Sequence, residues 1–106
     1  MAVFRVGPLP AGALDAAAEF HATVLPKLVA LRNPPPAGED LVLIFSSAPY
    51  DHRGWRLAVV QDLAREASPK RVNAIVGDDE KAIADTLAWL ERTPSVTGQL
   101  LAVEAN

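Results

Sequence analysis

The chain has 106 residues, of which 50% are hydrophobic, and its formal net charge at pH 7 is −3. This length fits a single domain covering residues 1–106, and the apolar content excludes a disordered chain. The mildly acidic net charge argues against a nucleic-acid partner, and the lack of cysteine argues against a disulfide scaffold. The sequence contains no run of about 18 apolar residues, which a membrane-spanning helix would need. We therefore expect a cytoplasmic protein, because the first residues also lack the basic and apolar pattern of a signal peptide.

The first predicted strands flank a long amphipathic helix. A short β-prone run at residues 2–6 is closed by two prolines. Over residues 14–31 the apolar side chains recur at spacings of three and four, and their arc covers about half of the helix circumference. Pro26 lies inside this helix, where we expect a kink or an early end because proline lacks an amide hydrogen. A proline-rich connector at 33–38 then leads to residues 41–47, whose five consecutive large apolar residues predict a strand covered on both faces.

The second half continues the alternation of helix and strand. Residues 53–67 predict a helix in which Trp55, Val59 and Leu63 are spaced by four, and residues 71–76 predict the third strand. The serine and proline between these two segments are expected to stop the helix, because the residue before a proline disfavours helical geometry.

The last predicted helix begins within an acidic cluster and leads to the fourth strand at residues 99–104. Asp78 is the expected N-cap, because the acidic residues after it lie where the helix dipole favours negative charge. Ile83, Leu87 and Leu90 form the expected core stripe. The order β-α-β-α-β-α-β predicts an α/β layer fold with about four mainly parallel strands in sequential order and three helices.

Several stretches match the motifs of one known family in the family's own order. Residues 63–75 (LAREASPKRVNAI) are similar to a segment that commonly reads LAxExAPxxIRVNAI, and residues 96–104 (VTGQLLAVE) to a closing VTGQxLxVDGG. Residues 79–90 are similar to an EDxAxAVxFL helix, and residues 43–47 to an IVNISS strand. The chain thus resembles the C-terminal half of short-chain dehydrogenases/reductases. This resemblance implies a truncated Rossmann-like fold whose last helix lies on the opposite face of the sheet from the others.

The resemblance also indicates which parts of the family's chemistry are missing. The family binds NAD(P) at a Gly-rich turn after its first strand, whereas the resemblance begins at about the family's fourth strand and no G-x-G-x-x-G occurs here. We expect no cofactor in the isolated chain, and NAD(P) only if a partner supplies the Gly-rich half. Alignment on residues 63–66 puts Pro49 at the family's catalytic Tyr, Arg53 at its catalytic Lys and Ser47 near its catalytic Ser, so no catalytic residue is assigned.

A candidate binding crevice comprises Ser46, Ser47, Tyr50, His52 and Gly77. These residues follow the carboxyl ends of neighbouring predicted strands, where open α/β sheets bind ligands. One interpretation is a remnant small-molecule pocket, and the other is a polar loop that caps the next turn. The two histidines lack metal-ligand spacing. The acidic cluster at residues 78–80 could ligate Mg²⁺, but a helix N-terminus explains it better, so we expect no metal site.

Self-association is expected because half of a Rossmann-like sheet exposes a strand edge and apolar surface. The family often dimerises through the helices that residues 15–31 and 53–67 resemble. We therefore expect a homodimer or a higher homo-oligomer. The candidate interface residues are Phe4, Phe20, Val24, Trp55 and Trp89.

These observations favour a non-catalytic, degenerate domain of this family that acts as an oligomeric binding or structural module. The alternative is an enzyme, either with a small-molecule activity at the crevice of Ser47 and Tyr50 or as an oxidoreductase whose cofactor-binding half comes from another chain. A truncated gene product without a selected role is the third interpretation.

Overall fold

The computed structural model describes residues 1–31 and 39–104 as a four-stranded parallel sheet with helices on both faces. The strands are β1 (Ala2–Arg5), β2 (Leu41–Phe45), β3 (Val72–Val76) and β4 (Leu100–Ala102). They lie in the order β1-β2-β3-β4, and each neighbouring pair is parallel, which confirms the predicted sequential order. The predicted connector at 33–38 lies outside the described residues.

The first helix contains a π-helical turn. It consists of α1 (Ala13–Glu19), the π turn (Phe20–Val24) and α2 (Leu25–Leu31), which follow one another without a break. At the end of the π turn, the backbone N–H of Leu25 donates to the carbonyl of Phe20, five residues earlier. The helix thus accommodates Pro26 by a local change of hydrogen-bond pattern, and the early end considered from the sequence does not occur.

Two further helices complete the layers. A single 3-10 turn (Tyr50–His52) leads into α3 (Arg53–Ala67), whose bounds match the prediction, and α4 (Glu80–Glu91) follows β3. The predicted second strand ends two residues early, at Phe45, so that the two serines after it lie in a loop.

The N-cap of α4 is Asp79, and the assignment of this role to Asp78 was wrong. The Asp79 carboxylate accepts the backbone N–H of Ala82 at 2.8 Å. Asp78 instead accepts the backbone N–H of Ser47 at 3.2 Å. Asp78 therefore links the loop after β2 to the loop after β3, and the helix begins one residue later than expected.

The sheet separates two apolar clusters. On one face lie α1, α2 and α3, and the buried side chains there include Phe20, Leu28, Leu43, Phe45, Val60 and Leu63. On the other face lies α4, and the buried side chains there are Val42, Ile44, Ile75, Ile83 and Leu90. The last helix therefore covers the opposite face, as the family resemblance implied, and its crossover has the opposite hand to the first two.

At the amino end of the sheet, Arg71 joins both layers. Its Nε donates to Asp40 Oδ2 at 2.9 Å and its backbone N–H to Asp40 Oδ1 at 2.8 Å. Its Nη1 donates to the carbonyls of Leu90 at 3.0 Å and Thr93 at 2.8 Å, at the end of α4. Burial alone would raise the pKa of Asp40, but the hydrogen bonds and positive charge of Arg71 outweigh it, so this pKa lies below its usual value.

The buried Asn73 on β3 holds the segment that leads into β4. Its Nδ2 donates to the carbonyl of Val96 at 3.0 Å, and its Oδ1 accepts the backbone N–H of Gln99 at 3.1 Å. Both ends of the side-chain amide are thus satisfied, as burial of a polar group requires.

Candidate functional site

A cleft of about 230 Å³ opens at the carboxyl ends of β1 and β2. Its walls come from the loop after β1, the loop after β2 and the start of α3. Open α/β sheets generally bind ligands outside the carboxyl ends of their strands, and both loops of this cleft lie there. The volume lies below the range of about 300–1,000 Å³ that is typical of drug-sized ligands, so the cleft suits a smaller molecule.

A second cleft of about 160 Å³ lies beside the first. The two clefts share Ala48, Pro49, His52 and Arg56 as lining residues. The second cleft extends over the ends of β3 and β4 and includes Tyr50 and Arg53. The start of α3 therefore contributes to both clefts.

The structure brings part of the predicted crevice together. Ser46 and Ser47 are exposed and line the larger cleft, while Tyr50 is 84% exposed and lines the smaller one. His52 lines both clefts, and Gly77 lines neither of the two. The two serines and the tyrosine therefore do not line a single crevice.

His52 has a structural role. Only 4% of the residue is exposed, the indole Nε1 of Trp55 donates to its Nδ1 at 3.4 Å, and its Nε2 lies 2.9 Å from the carbonyl of Ala11. An indole N–H can only donate, so Nδ1 accepts and Nε2 carries the proton that is donated to Ala11. Both ring nitrogens thus have protein partners, which ties α3 to the segment before α1.

Arg56 is the group that the sequence analysis missed. Only 6% of it is exposed, and its Nη1 donates to the carbonyl of Ser46 at 3.0 Å. Its guanidinium carbon lies 4.6 Å from the ring centroid of Phe45 and 5.7 Å from that of Trp55, both within the range of cation–π attraction. Its Nε is buried and has no hydrogen-bond partner.

The charge of Arg56 is also unbalanced. Among the described residues no carboxylate forms an ion pair with it. Burial lowers the pKa of Arg56, but a guanidinium remains protonated at physiological pH. The cleft therefore carries an enclosed positive charge whose compensation is incomplete.

The sequence did hold a signal for Arg56. It precedes Val60 by four residues and Leu63 by seven, a spacing that puts all three on one face of a helix. Val60 and Leu63 belong to the buried cluster between the helices and the sheet. An arginine at this spacing, at the amino end of the helix, is a candidate for burial near the strand ends.

The predicted interface residues differ in how much of each side chain is exposed, from fully buried to nearly half exposed. Phe20 is 0% exposed, and its ring centroid lies 5.7 Å from that of Phe45 and 5.2 Å from that of Trp55. Its assignment to an interface is therefore corrected, because the first helix turns this ring into the core. Phe4, Val24 and Trp55 are half-buried against the same cluster, whereas Trp89 is 43% exposed.

No helix within residues 1–31 or 39–104 is long and apolar enough to span a bilayer. The same ranges contain no group of three or more His, Cys, Asp or Glu side chains that could together hold a metal ion.

A comparison of the chain with models of protein families gives a match. The model of the SDR-like family, described as short chain dehydrogenase-like protein, matches residues 4–103. No curated protein and no solved structure matches the chain significantly. The family match begins within β1 and extends beyond β4, so it includes both clefts and nearly the whole sheet. The chain therefore belongs to the short chain dehydrogenase-like family.

Proposed function

We propose that this chain is a non-catalytic member of its family that acts as a binding module and forms homo-oligomers in the cytoplasm. The observation that carries the proposal is the larger cleft, which provides a ligand-sized space at the strand ends but no acid–base pair. The net charge of −3 and the lack of cysteine support a cytoplasmic role without nucleic acid.

The lining groups support a loss of chemistry. General acid–base catalysis needs a titratable side chain that is free to exchange a proton with the substrate. His52 uses both ring nitrogens for protein contacts, and Pro49 and Arg53 stand where the family resemblance puts the catalytic Tyr and Lys. Ser47 and Tyr50, the pair considered for an alternative enzyme, line different clefts.

The isolated chain is proposed to bind no nicotinamide dinucleotide. The sequence has no G-x-G-x-x-G turn, and the larger cleft of about 230 Å³ is small for a dinucleotide. Thermal unfolding is measured with NAD⁺, NADH, NADP⁺ and NADPH, and we expect an unchanged Tm with each. A saturable rise in Tm with any of the four would overturn the proposal. Stabilisation that needs a second, glycine-rich chain would favour the split oxidoreductase instead.

Self-association is proposed to use the outer edge of β1. Among the described residues β1 has one neighbouring strand, and Val3 on this strand is 45% exposed. An unpaired edge offers backbone donors and acceptors to a second copy. We expect sedimentation equilibrium at micromolar concentration to give a dimer or larger species, and Val3→Lys to shift it to monomer.

The matched control is Leu14→Lys on α1, since Leu14 is 84% exposed and lies on a helix and not on a strand edge. This variant should keep the wild-type mass. A monomeric wild-type protein contradicts self-association, and dissociation by Leu14→Lys alone contradicts the edge as its site.

A further inference from the structure

We infer that the larger cleft is a binding site for a small organic carboxylate, which is held by the guanidinium of Arg56. The inference rests on the proposed binding function and adds the chemical class of the ligand.

The first observation is the missing counter-ion. Arg56 is 6% exposed and, among the described residues, has no carboxylate partner. Three other arginines are more exposed and each pairs with a carboxylate: Arg5 with Glu80, Arg65 with Asp62, and Arg71 with Asp40. A buried charge is costly unless it is paired, so an arriving anion supplies the partner that the fold leaves out.

The second observation is the unused hydrogen-bonding capacity of the guanidinium. Nη1 is occupied by the Ser46 carbonyl at 3.0 Å, while Nε is enclosed without a partner and Nη2 forms no hydrogen bond within the described residues. A guanidinium presents parallel N–H groups, and their spacing matches the two oxygens of a carboxylate.

The third observation is that the guanidinium is held in place before any ligand arrives. The Phe45 ring lies under its central carbon at 4.6 Å, and the bond to Ser46 fixes its far side. A donor group that is already ordered loses little conformational freedom on binding, so more of the interaction energy appears as affinity.

The walls of the cleft indicate the rest of the ligand. Val6, Leu9 and Phe45 supply apolar surface, and Ser46 and Ser47 lie at the exposed rim. A short hydrocarbon group fits these walls and the volume of about 230 Å³. A phosphate would bring up to two negative charges to a single enclosed cation, whereas a carboxylate brings one. A monoanionic carboxylate therefore fits best.

The competing explanation is purely structural. In that case Arg56 only fastens the end of β2 to α3 through the Ser46 carbonyl and the two aromatic rings. It predicts no specific affinity for anions, so a titration separates the two explanations.

The test is an NMR titration of the ¹⁵N-labelled full chain with sodium butyrate at constant ionic strength. Butyramide, the neutral isostere, and inorganic phosphate serve as comparison probes. We expect saturable shifts of the Ser46 and Ser47 amides and of the Arg56 Nε–H, with butyrate binding at least about tenfold tighter than either comparison probe. Unsaturable butyrate shifts, equal affinity for butyramide, or tighter binding of phosphate would each overturn the inference.

Two glutamine variants locate the site. Arg56→Gln removes the charge and is expected to weaken butyrate binding at least about tenfold. Arg53→Gln is the matched control, because Arg53 lies one turn earlier on α3, is exposed, and lines only the smaller cleft. Its affinity should stay within about twofold of wild type, as expected for an exposed charge. Loss of binding in Arg53→Gln with retention in Arg56→Gln contradicts the assignment.

The outcome does not depend on the folding of Arg56→Gln, since the Arg56 Nε–H signal of the wild-type protein reports directly on the guanidinium. A failed butyrate titration in a chain that self-associates and ignores dinucleotides overturns this inference alone. Stabilisation by a dinucleotide overturns the proposed function instead.

Discussion

Gly77 shows what a single backbone position does at the strand ends. It is buried directly after β3, and its N–H donates to the carbonyl of Phe45 at 3.0 Å. A Cβ at this position would lie 2.7 Å from Val103 Cγ2 and 2.8 Å from the carbonyl oxygen of Val103. The glycine therefore permits the close approach of the segment after β4, and it does not line either cleft.

Gly77→Ala is expected to lower the free energy of unfolding by about 1–3 kcal/mol, because the backbone of Val103 must move. Gly54→Ala is the matched control in α3, where nothing lies within 4 Å of the added Cβ. It should raise stability by up to about 1 kcal/mol, since alanine favours a helix over glycine. Urea denaturation measures both variants. A Gly77→Ala protein as stable as wild type would contradict the close approach.

At the scale of single residues, the sequence predicted loop serines but not the buried cation. Ser46 and Ser47 follow a long apolar run, and a strand of that kind has to end in a loop. The burial of Arg56 depends on the Ser46 carbonyl and on stacking with Phe45, and neither is encoded by side-chain spacing alone. Arginine is also among the residues that are almost never fully buried, so its default prediction is exposure.

Among the helices and strands, the start of α4 shows why a helix boundary is hard to predict from sequence alone. Two aspartates, Asp78 and Asp79, stand directly before α4, and aspartate is a preferred N-cap residue at either position. The choice falls on Asp79 because Asp78 is engaged by the backbone N–H of Ser47, across the gap between two loops. Such a tertiary contact is absent from any local pattern, which explains the shift by one residue.

Asp79→Ala is expected to lower the free energy of unfolding by about 1 kcal/mol, because the N–H of Ala82 loses its acceptor at the helix N-terminus. Asp78→Ala removes only a longer hydrogen bond to a loop that is exposed at Ser47, so its loss should be smaller. Chemical denaturation of the two variants under the same conditions measures the difference. A larger loss for Asp78→Ala would contradict the assignment of the cap.

The first helix was predicted in extent but not in detail. The apolar spacing gave its residues, and its continuation past Pro26 follows from the π turn just before that proline. The same segment turns Phe20 into the core, between the rings of Phe45 and Trp55. An arc of apolar residues shows how much of a helix is covered, but it does not show which neighbour covers each position.

At the scale of the whole molecule, the sheet is stabilised from both faces. The right-handed crossover rule alone would put every helix on one face of a sequential parallel sheet. The burial of residues 42–45 requires cover on both faces of the sheet, and the family resemblance indicated that α4 supplies it on the second face. Arg71 and Asp40 reinforce this arrangement, because they tie the starts of two strands to the end of α4.

Asp40→Asn is therefore expected to lower the free energy of unfolding by about 1–2 kcal/mol at pH 7. The pKa of Asp40 is depressed in the folded protein, so its contribution is complete above the unfolded pKa of about 3.9 and is lost as pH falls through the folded pKa. The stability gap between wild type and variant should therefore close in acid.

Urea denaturation from pH 7 down to about pH 2 measures this gap, in the range where the depressed carboxyl titrates. Glu39→Gln is the matched control, since its exposed carboxylate lies 3.6 Å from the N-terminal amine. It should change stability by less than about 0.5 kcal/mol. A gap for Asp40→Asn that is independent of pH would contradict an electrostatic origin.

The hydrogen bonds of Asn73 restrict the register in which β4 can pair with β3. Strand β4 spans only Leu100–Ala102, and a parallel strand of that length could slide along β3 at little cost in ladder hydrogen bonds. A slide by one residue would turn Leu101 to the opposite face and would leave the buried amide of Asn73 without the Val96 carbonyl and the Gln99 N–H. A shifted register of β4 therefore costs both the burial of Leu101 and the hydrogen bonds of Asn73. Asn73 thus acts mainly to select one register of β4 on β3.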